Sequence, residues 1–340
     1  NQTKGAQYPW VYESPKGANQ QPFTNLHKAF TRFFKKKAKY PRFKKRGIHD
    51  SFYIENDKLS MVEGFVRLPV IGQVQTRESL RFNGKVMGAV VSREVDRWFI
   101  SIQVEVLVPQ LPRIGNGSVG IDLGLTTFAT LSSGEKIDAP KPLRHALKRL
   151  RCQQRILARR QKGSARKAKA RLRVAKTHAN IRHIRQDFLH KLSTRICREN
   201  QAVAIEDLNV KGMVKTHKLA RSISDVGWAE FRRQLDYKSL RYGTNLIVAD
   251  RFYPSTKRCS ECGHIQDMPL QQRMFRCGAC GFSLDRDWNA AKNLEQLIAP
   301  GFGVNARGQE SSGLSVSNQT KLCLVETRTT PSGDSLEHTK

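Results

Sequence analysis

The 340-residue chain carries 60 Lys and Arg against 29 Asp and Glu, a net charge of +31 at pH 7. No apolar run approaches the roughly 20 residues of a membrane-spanning helix, and no charged-then-apolar leader opens the chain, so membrane and secretory roles are not expected. Self-repulsion on this scale does nothing for folding, and the expected partner is a polyanion.

Residues 1–27 are polar and turn-rich. They lead into 28–46, which hold ten Lys and Arg, Lys35, Lys36 and Lys37 among them, and no acid, interleaved with Phe30, Phe33, Phe34, Tyr40 and Phe43. That composition suits phosphate binding, with aromatics free to stack or to pack. Residues 51–108 change to short alternating strands broken by Gly, Asn and Asp, the pattern of a small β-barrel or curled sheet. The Pro/Gly-rich stretch 109–117 reads as a linker.

From Ser118 the pattern becomes α/β. SVGIDLGL and TFATLSS read as two tightly joined strands. The segment 143–178 reads as basic helix, with Leu143, Leu147, Leu150 and Leu157 at helical spacing and a turn near Gly163-Ser164. A further helix over 180–199 places Ile181, Ile184, Phe188, Leu192 and Ile196 on one face. Across 144–198 there are 19 Lys and Arg and one acid, Asp187. So many uncompensated cations, Arg149, Arg155, Arg159 and Arg160 among them, predict a nucleic-acid groove. QAVAIEDL is a buried-type strand, and Ser224-Asp225 reads as the cap of a helix through about Tyr242. TNLIVADRFY is another strand, and a helix follows from about Asn289 to Leu297. Residues 299–340 are rich in Gly, Ser, Thr and Asn and are expected to be disordered.

Four of the seven cysteines form Cys259-x-x-Cys262 and Cys277-x-x-Cys280, with 14 residues between the pairs. Four thiolates at this spacing suit tetrahedral Zn²⁺, and a fully thiolate-ligated zinc has no open position, so its expected role is structural. His264 beside Cys262 reads as a surface residue. An odd count of cysteines, clustered this way, argues against disulfides and for a reducing, cytoplasmic compartment.

Three acids stand apart from the surface carboxylates. Asp122 in V-G-I-D-L-G-L and Glu206 at the end of A-V-A-I-E lie on apolar strands, where a carboxylate is costly to ionise unless it is paired or bound to a cation. Asp287 precedes N-A-A-K-N near a helix start. Three carboxylates converging at strand ends can hold Mg²⁺ for phosphodiester hydrolysis.

The segments GIDLGLTTFA, VAIEDLNVKGM and LDRDWNAAKNL, in that order, resemble the RuvC-type nuclease core of the TnpB (OrfB) family of insertion-sequence proteins, relatives of the type V CRISPR effectors. RQDFLHKLSTRI, ARSISDVGWAEFRRQLDYKSLRYG and YPSTKRCSECG strengthen the match, which covers roughly 28–310. The resemblance implies an RNA-guided DNA endonuclease with Asp122, Glu206 and Asp287 as Mg²⁺-binding catalytic acids; Asp285 and Asp207 are the second choices. It implies an RNase H-like (RuvC) α/β core over 118–258 and 282–298, a zinc ribbon inserted at 259–281, a β-rich wedge-like domain over 47–117 and a remnant basic recognition segment over 1–46, with the tail at 299–340. The basic helices would border a guide–target channel. Against the family pattern, the N-terminal region is expected to be shortened to its basic tail, and no motif-reading residues are carried over. The implied partners are guide RNA and target DNA, in a monomeric ribonucleoprotein near the nucleoid. The alternatives are a nuclease-inactive guided repressor and a transposition accessory protein. A strand-transfer transposase fits less well, because such enzymes usually order their acids Asp, Asp, Glu.

Overall fold

The computed structural model describes residues 8, 13–43, 47, 50–62, 64–80, 84–105, 115–269, 271–298 and 324–329. The chain divides into two units, residues 1–107 with 318–340 and residues 108–317.

In the first unit, helix α1 spans Lys16–Phe34. The stretch read as turn-rich is therefore helical from Lys16, because Phe23, Leu26, Phe30 and Phe33 recur at three- and four-residue steps. The helix stops where Lys36 turns to a φ of 54°. Strands β1 (Ser51–Glu55), β5 (Lys85–Glu94), β6 (Arg97–Glu105) and β14 (Leu324–Thr329) form an antiparallel sheet in the order β1-β5-β6-β14. Strands β2 (Ser60–Val62), β3 (Phe65–Leu68) and β4 (Gly72–Gln75) form a separate three-stranded meander. Alternating residues of both sheets, among them Ile54, Val66, Leu68, Val91, Ile100 and Ile102, share one core. The expected barrel is thus two sheets packed on a common core. Most of the tail 299–340, residues 109–114 of the expected linker with 106–108 before them, and the cations 44–46 lie outside the described residues. The exception is β14, which pairs antiparallel along β6 in a stretch expected to be disordered.

The second unit is built on a five-stranded sheet of β7 (Gly117–Leu123), β8 (Ala129–Leu131), β9 (Lys136–Ile137), β10 (Asn200–Ile205) and β11 (Asn245–Val248), ordered β11-β10-β7-β8-β9. The first three strands in sequence are antiparallel neighbours, and β10 and β11 add in parallel on the other side of β7. Helices α2 (Pro142–Arg159) and α3 (Ala165–Glu199) form a hairpin, followed by α4 (Val210–Met213), α5 (His217–Val226) and α6 (Trp228–Tyr242); strands β12 (Met274–Arg276) and β13 (Ser283–Asp285) then pair antiparallel ahead of α7 (Arg286–Glu295).

Strand periodicity assigns the two faces. Val119 and Ile121 of β7, with Val203 and Ile205 of β10, enter the large core shared with Leu189, Ile196, Ile223, Phe231 and Leu235 of α3, α5 and α6. Phe128 lies at its centre, edge-on to both Phe188 and Phe231 at 5.1 Å. The residues in between, Gly120 and Ala204, face the opposite side, where Ala204 packs with Ile247 and Leu294 under α7. Residues Asp122 and Glu206 follow in the same alternation. Helix α7 rides so close on β7 that a Cβ at Gly120 would run into the backbone of Ala291 and Glu295. Neither obstacle can swing aside, so Gly120→Ala is expected to cost about 3 kcal/mol or more. A thermal or urea melt checks this, and an unchanged midpoint would contradict the close approach.

Three helix boundaries differ from the sequence reading. Helix α3 runs unbroken from 165 to 199, its N-terminus capped by Ser164 accepting from Lys167 N–H at 3.2 Å. Ile184, read as part of its buried face, is 40% exposed. Ser224-Asp225 starts no helix. Gly227, at a φ of 83°, divides α5 from α6. The Asp225 carboxylate instead caps α2, accepting from the backbone N–H groups of Leu143 at 3.0 Å and Arg144 at 3.1 Å, and Arg185 braces it at 3.3 Å. A cap across 81 and 82 residues of sequence is invisible to local pattern.

Candidate functional site

Because β7 and β10 are parallel and in register at Ile121 and Ile205, the next residue on each, Asp122 and Glu206, emerges side by side on the α7 face. Asp287, in the first turn of α7, is near enough for its charge to act on both. Ser255, in the loop after β11, donates its hydroxyl to Glu206 Oε1 at 3.3 Å. Burial, then the charge of Glu206 and a hydrogen bond with it, then Asp287, push the Asp122 carboxyl well above its usual range, with Arg286 pulling the other way. Glu206 is raised too, first by burial and further by Asp287, while its bonds to Asp122 and Ser255 oppose the shift. Arg286 Nε contacts Asp287 Oδ1 at 3.2 Å. Crowded and dehydrated carboxylates of this kind hold protons or a cation. An all-oxygen donor set fits a hard divalent cation such as Mg²⁺.

The two second-choice acids have other work. Asp285 is the N-cap of α7, accepting from the N–H groups of Asp287 and Trp288 at 3.1 Å each, and it pairs with Lys136 at 2.9 Å. Asp207 pairs with Arg251 at 2.6 Å.

The four cysteines meet as the spacing requires. Among the described residues they are the one group of potential metal ligands whose donor atoms all lie within 4.8 Å of one another, and His264 is not in it. The Sγ atoms of Cys259 and Cys280 are 3.8 Å apart and those of Cys262 and Cys277 3.5 Å. A tetrahedron with Zn–S bonds of about 2.3 Å has edges of about 3.8 Å, which both of these separations approach. Both knuckles fold alike: Gly263 N–H donates to the Cys259 carbonyl and Gly281 N–H to that of Cys277, each at 3.0 Å and each glycine at positive φ. The backbone N–H groups of Cys280 and Ala279 draw the Cys277 thiol down to about 6. The Phe282 N–H lowers that of Cys280, but its thiol neighbours and burial outweigh this and push it up to about 12. Four thiols this close do not all ionise without a cation among them.

Helix α7 joins the thiol cluster to the acids. Asn289 accepts from Ser260 N–H at 3.0 Å and donates to the Arg258 carbonyl at 2.7 Å, gripping both flanks of Cys259. Asn293 donates to the Ser255 and Arg258 carbonyls at 2.8 and 2.6 Å, and Gln296 to that of Ser260 at 2.6 Å. Both asparagines are fully buried. Trp288 anchors the same helix to the β8–β9 turn by donating to the Ser132 carbonyl at 2.9 Å. None of Ser255, Arg286, Trp288, Asn289 and Asn293 was singled out from sequence. The available signal was Asn at i and i+4 around two alanines, a helix face that is polar yet flanked by small residues.

The expected cationic surfaces are exposed. Arg149, Arg155, Arg159 and Arg160 project from α2, and Lys35, Lys36 and Lys37 lie just past α1. Phe30, Phe33, Phe34 and Tyr40 pack on one another at 5.4–6.1 Å. Among the described residues no helix is long and apolar enough to cross a membrane.

A family described as "Probable transposase" matches residues 101–217, and a Cas12f1-like TNB domain matches 228–294. A Streptomyces pristinaespiralis protein named "Putative RNA-guided DNA endonuclease" is 42% identical over 299 residues, spanning 85% of this chain and 72% of that protein. The chain belongs to the TnpB (OrfB) family. Its Escherichia coli K12 relative InsQ, named in the same terms, is 35% identical over 88% of this chain and 78% of its own length. A solved Cas12f1 chain, from a complex with sgRNA and target DNA, shares 15% identity at a TM-score of 0.40, covering 80% of this TnpB-family chain and 77% of its own.

Proposed function

We propose that this chain is an RNA-guided, magnesium-dependent DNA endonuclease with an RNase H-like, RuvC-type core, in which Asp122, Glu206 and Asp287 hold the metal and the cysteine cluster holds a structural zinc. The observation that carries this is the emergence of Asp122 and Glu206 side by side on adjacent parallel strands, facing the helix that bears Asp287. The order of the sheet, three antiparallel strands with two parallel ones added beside the first, supports the RNase H-like reading. The names of the relatives support guide RNA and target DNA as partners, and the protein would act as a monomeric ribonucleoprotein at the nucleoid.

Bound magnesium supplies charge neutralisation at the phosphodiester and a more acidic water. The chain's own residues do the rest. Ser255 orients Glu206, Arg286 orients Asp287, and the Asp285 cap with Lys136 fixes the start of α7. The exposed cations of α1 and α2 hold phosphates and leave the sequence to be read by base pairing. A nuclease-inactive repressor or a transposition accessory protein has no use for three acids drawn together at this cost. The direct test is to sequence the RNA that co-purifies with the protein and to offer complementary DNA in magnesium. Guide-dependent cleavage is expected; intact DNA with RNA bound overturns the nuclease assignment.

The cationic stretches give a separate expectation. Charge reversal at Arg149, Arg155 and Arg159 together should weaken nucleic-acid binding by about tenfold or more at moderate salt, with sequence preference unchanged. Filter binding across a salt series checks it. A flat salt dependence contradicts the electrostatic account.

A further inference from the structure

We propose that Phe252 is a stacking platform for a nucleobase of single-stranded DNA at the rim of the carboxylate site. The proposal rests on the nuclease reading for its consequence but on separate observations for its geometry. After β11, the N–H of Ala249 donates to the Ile205 carbonyl at 2.9 Å, which carries the chain past Ile205 and alongside Glu206. The loop is then tied down on both sides of Phe252. Arg251 pairs with Asp207 at 2.6 Å, and Ser255 donates to Glu206 at 3.3 Å. Phe252 N–H donates to Asp250 Oδ1 at 2.8 Å, and Tyr253 N–H to the Asp250 carbonyl at 3.0 Å. The Tyr253 hydroxyl reaches the Asn293 carbonyl of α7 at 3.1 Å. The backbone is therefore fixed, yet Phe252 between these ties is 86% exposed. Among the described residues no ring or cation contact is made to it.

A fixed and bare aromatic ring beside a site for phosphodiesters has the properties of a base-stacking surface. Every base has a π-face, so stacking is sequence-tolerant, as a nuclease that leaves sequence reading to RNA requires. A short β-turn with an apolar tip docked by a protein partner is the competing occupant. The +31 charge of the chain favours the polyanion. A stacked base would hold the neighbouring backbone against Asp122, Glu206 and Asp287, which makes Phe252 a positioning residue.

Two measurements test this on the full chain. In Phe252→Trp, the emission of the introduced indole, taken as the difference from the parent, should be quenched by a short oligodeoxyadenylate. It should not be quenched by an abasic oligomer of the same length and charge. In RNA-loaded protein, Phe252→Ala and Phe252→Leu should each raise KM or lower kcat for cleavage by roughly tenfold, the loss of one base–aromatic stack, while Phe252→Tyr retains activity. An indole unmoved by oligodeoxyadenylate, or quenched equally by the abasic oligomer, overturns the proposal. So does parental cleavage by both Phe252→Ala and Phe252→Leu. If the RNA-loaded parent does not cleave DNA, the nuclease reading fails, and the fluorescence comparison, which needs no cleavage, still decides the stacking.

Discussion

Replacing Cys277 and Cys280 together by serine will empty the metal centre and abolish DNA cleavage, although both residues belong to the ribbon and not to the acid group. Structural zinc in small domains contributes about 10–16 kcal/mol of apparent binding energy, and the ribbon has little else to hold it: among the described residues, Phe275 is the one large apolar side chain fully buried with Cys259 and Cys277. Loss of the metal frees Cys259, and with it Arg258 and Ser260, the backbone groups that Asn289, Asn293 and Gln296 grip. Ser255, four residues before Cys259, then loses its fixed place beside Glu206. The expected readouts are less than one zinc per chain by elemental analysis, new proteolytic cuts within 254–285, and no cleavage. Zinc retained at one per chain, or full cleavage by a zinc-free variant, contradicts this linkage.

Substituting Asp122→Asn should abolish cleavage and also change how stability responds to pH. The folded chain holds the Asp122 carboxyl well above its usual range, mainly by burial and by Glu206. The folded state therefore binds a proton that the unfolded chain releases at about pH 4. Stability from this source is fully present below that pH and is lost as pH rises through the raised value. Without divalent metal, the parent protein should melt at a lower temperature at neutral pH than at mildly acidic pH, and magnesium should recover the difference. Asp122→Asn removes one charge and keeps the shape, so its melting temperature should vary less with pH and respond less to magnesium. Glu206 keeps a residual slope. Thermal melts across pH, with and without magnesium, check the sign. A parent whose stability rises toward neutral pH without metal contradicts the buried-acid account.

What could be read from sequence was whatever is written locally. The double C-x-x-C states its own geometry. Asp122 and Glu206 declare themselves by sitting where an apolar strand should carry no charge, and their common face follows from a period of two once the strands are parallel. Long-range roles were not written anywhere. Asp225 looked like a cap for the helix beside it and caps α2 instead, because a carboxylate satisfies any helix N-terminus brought within reach. Asp285 and Asp287 were separated in sequence only by the family resemblance. The start of α7 at Arg286 gives the physical difference: Asp285 is the cap of the helix, and Asp287 lies in its first turn against Arg286. The break between α5 and α6 at Gly227 and the unbroken run of α3 through 178–180 reflect packing against the core, which overrides weak local signals. Strand β14 was missed because its partner, β6, lies more than 200 residues earlier.

Joint action of Asp122, Glu206 and Asp287 on a phosphodiester is decided by comparing DNA cleavage by the parent protein and by Asp287→Ala, each loaded with its co-purified RNA, in magnesium. Asp287 is the right member to remove, because its side chain is 29% exposed and its loss leaves the core intact. Cleavage by the parent, with none by an Asp287→Ala variant that still binds RNA and target DNA, is the predicted result. Equal cleavage by the two proteins would contradict it.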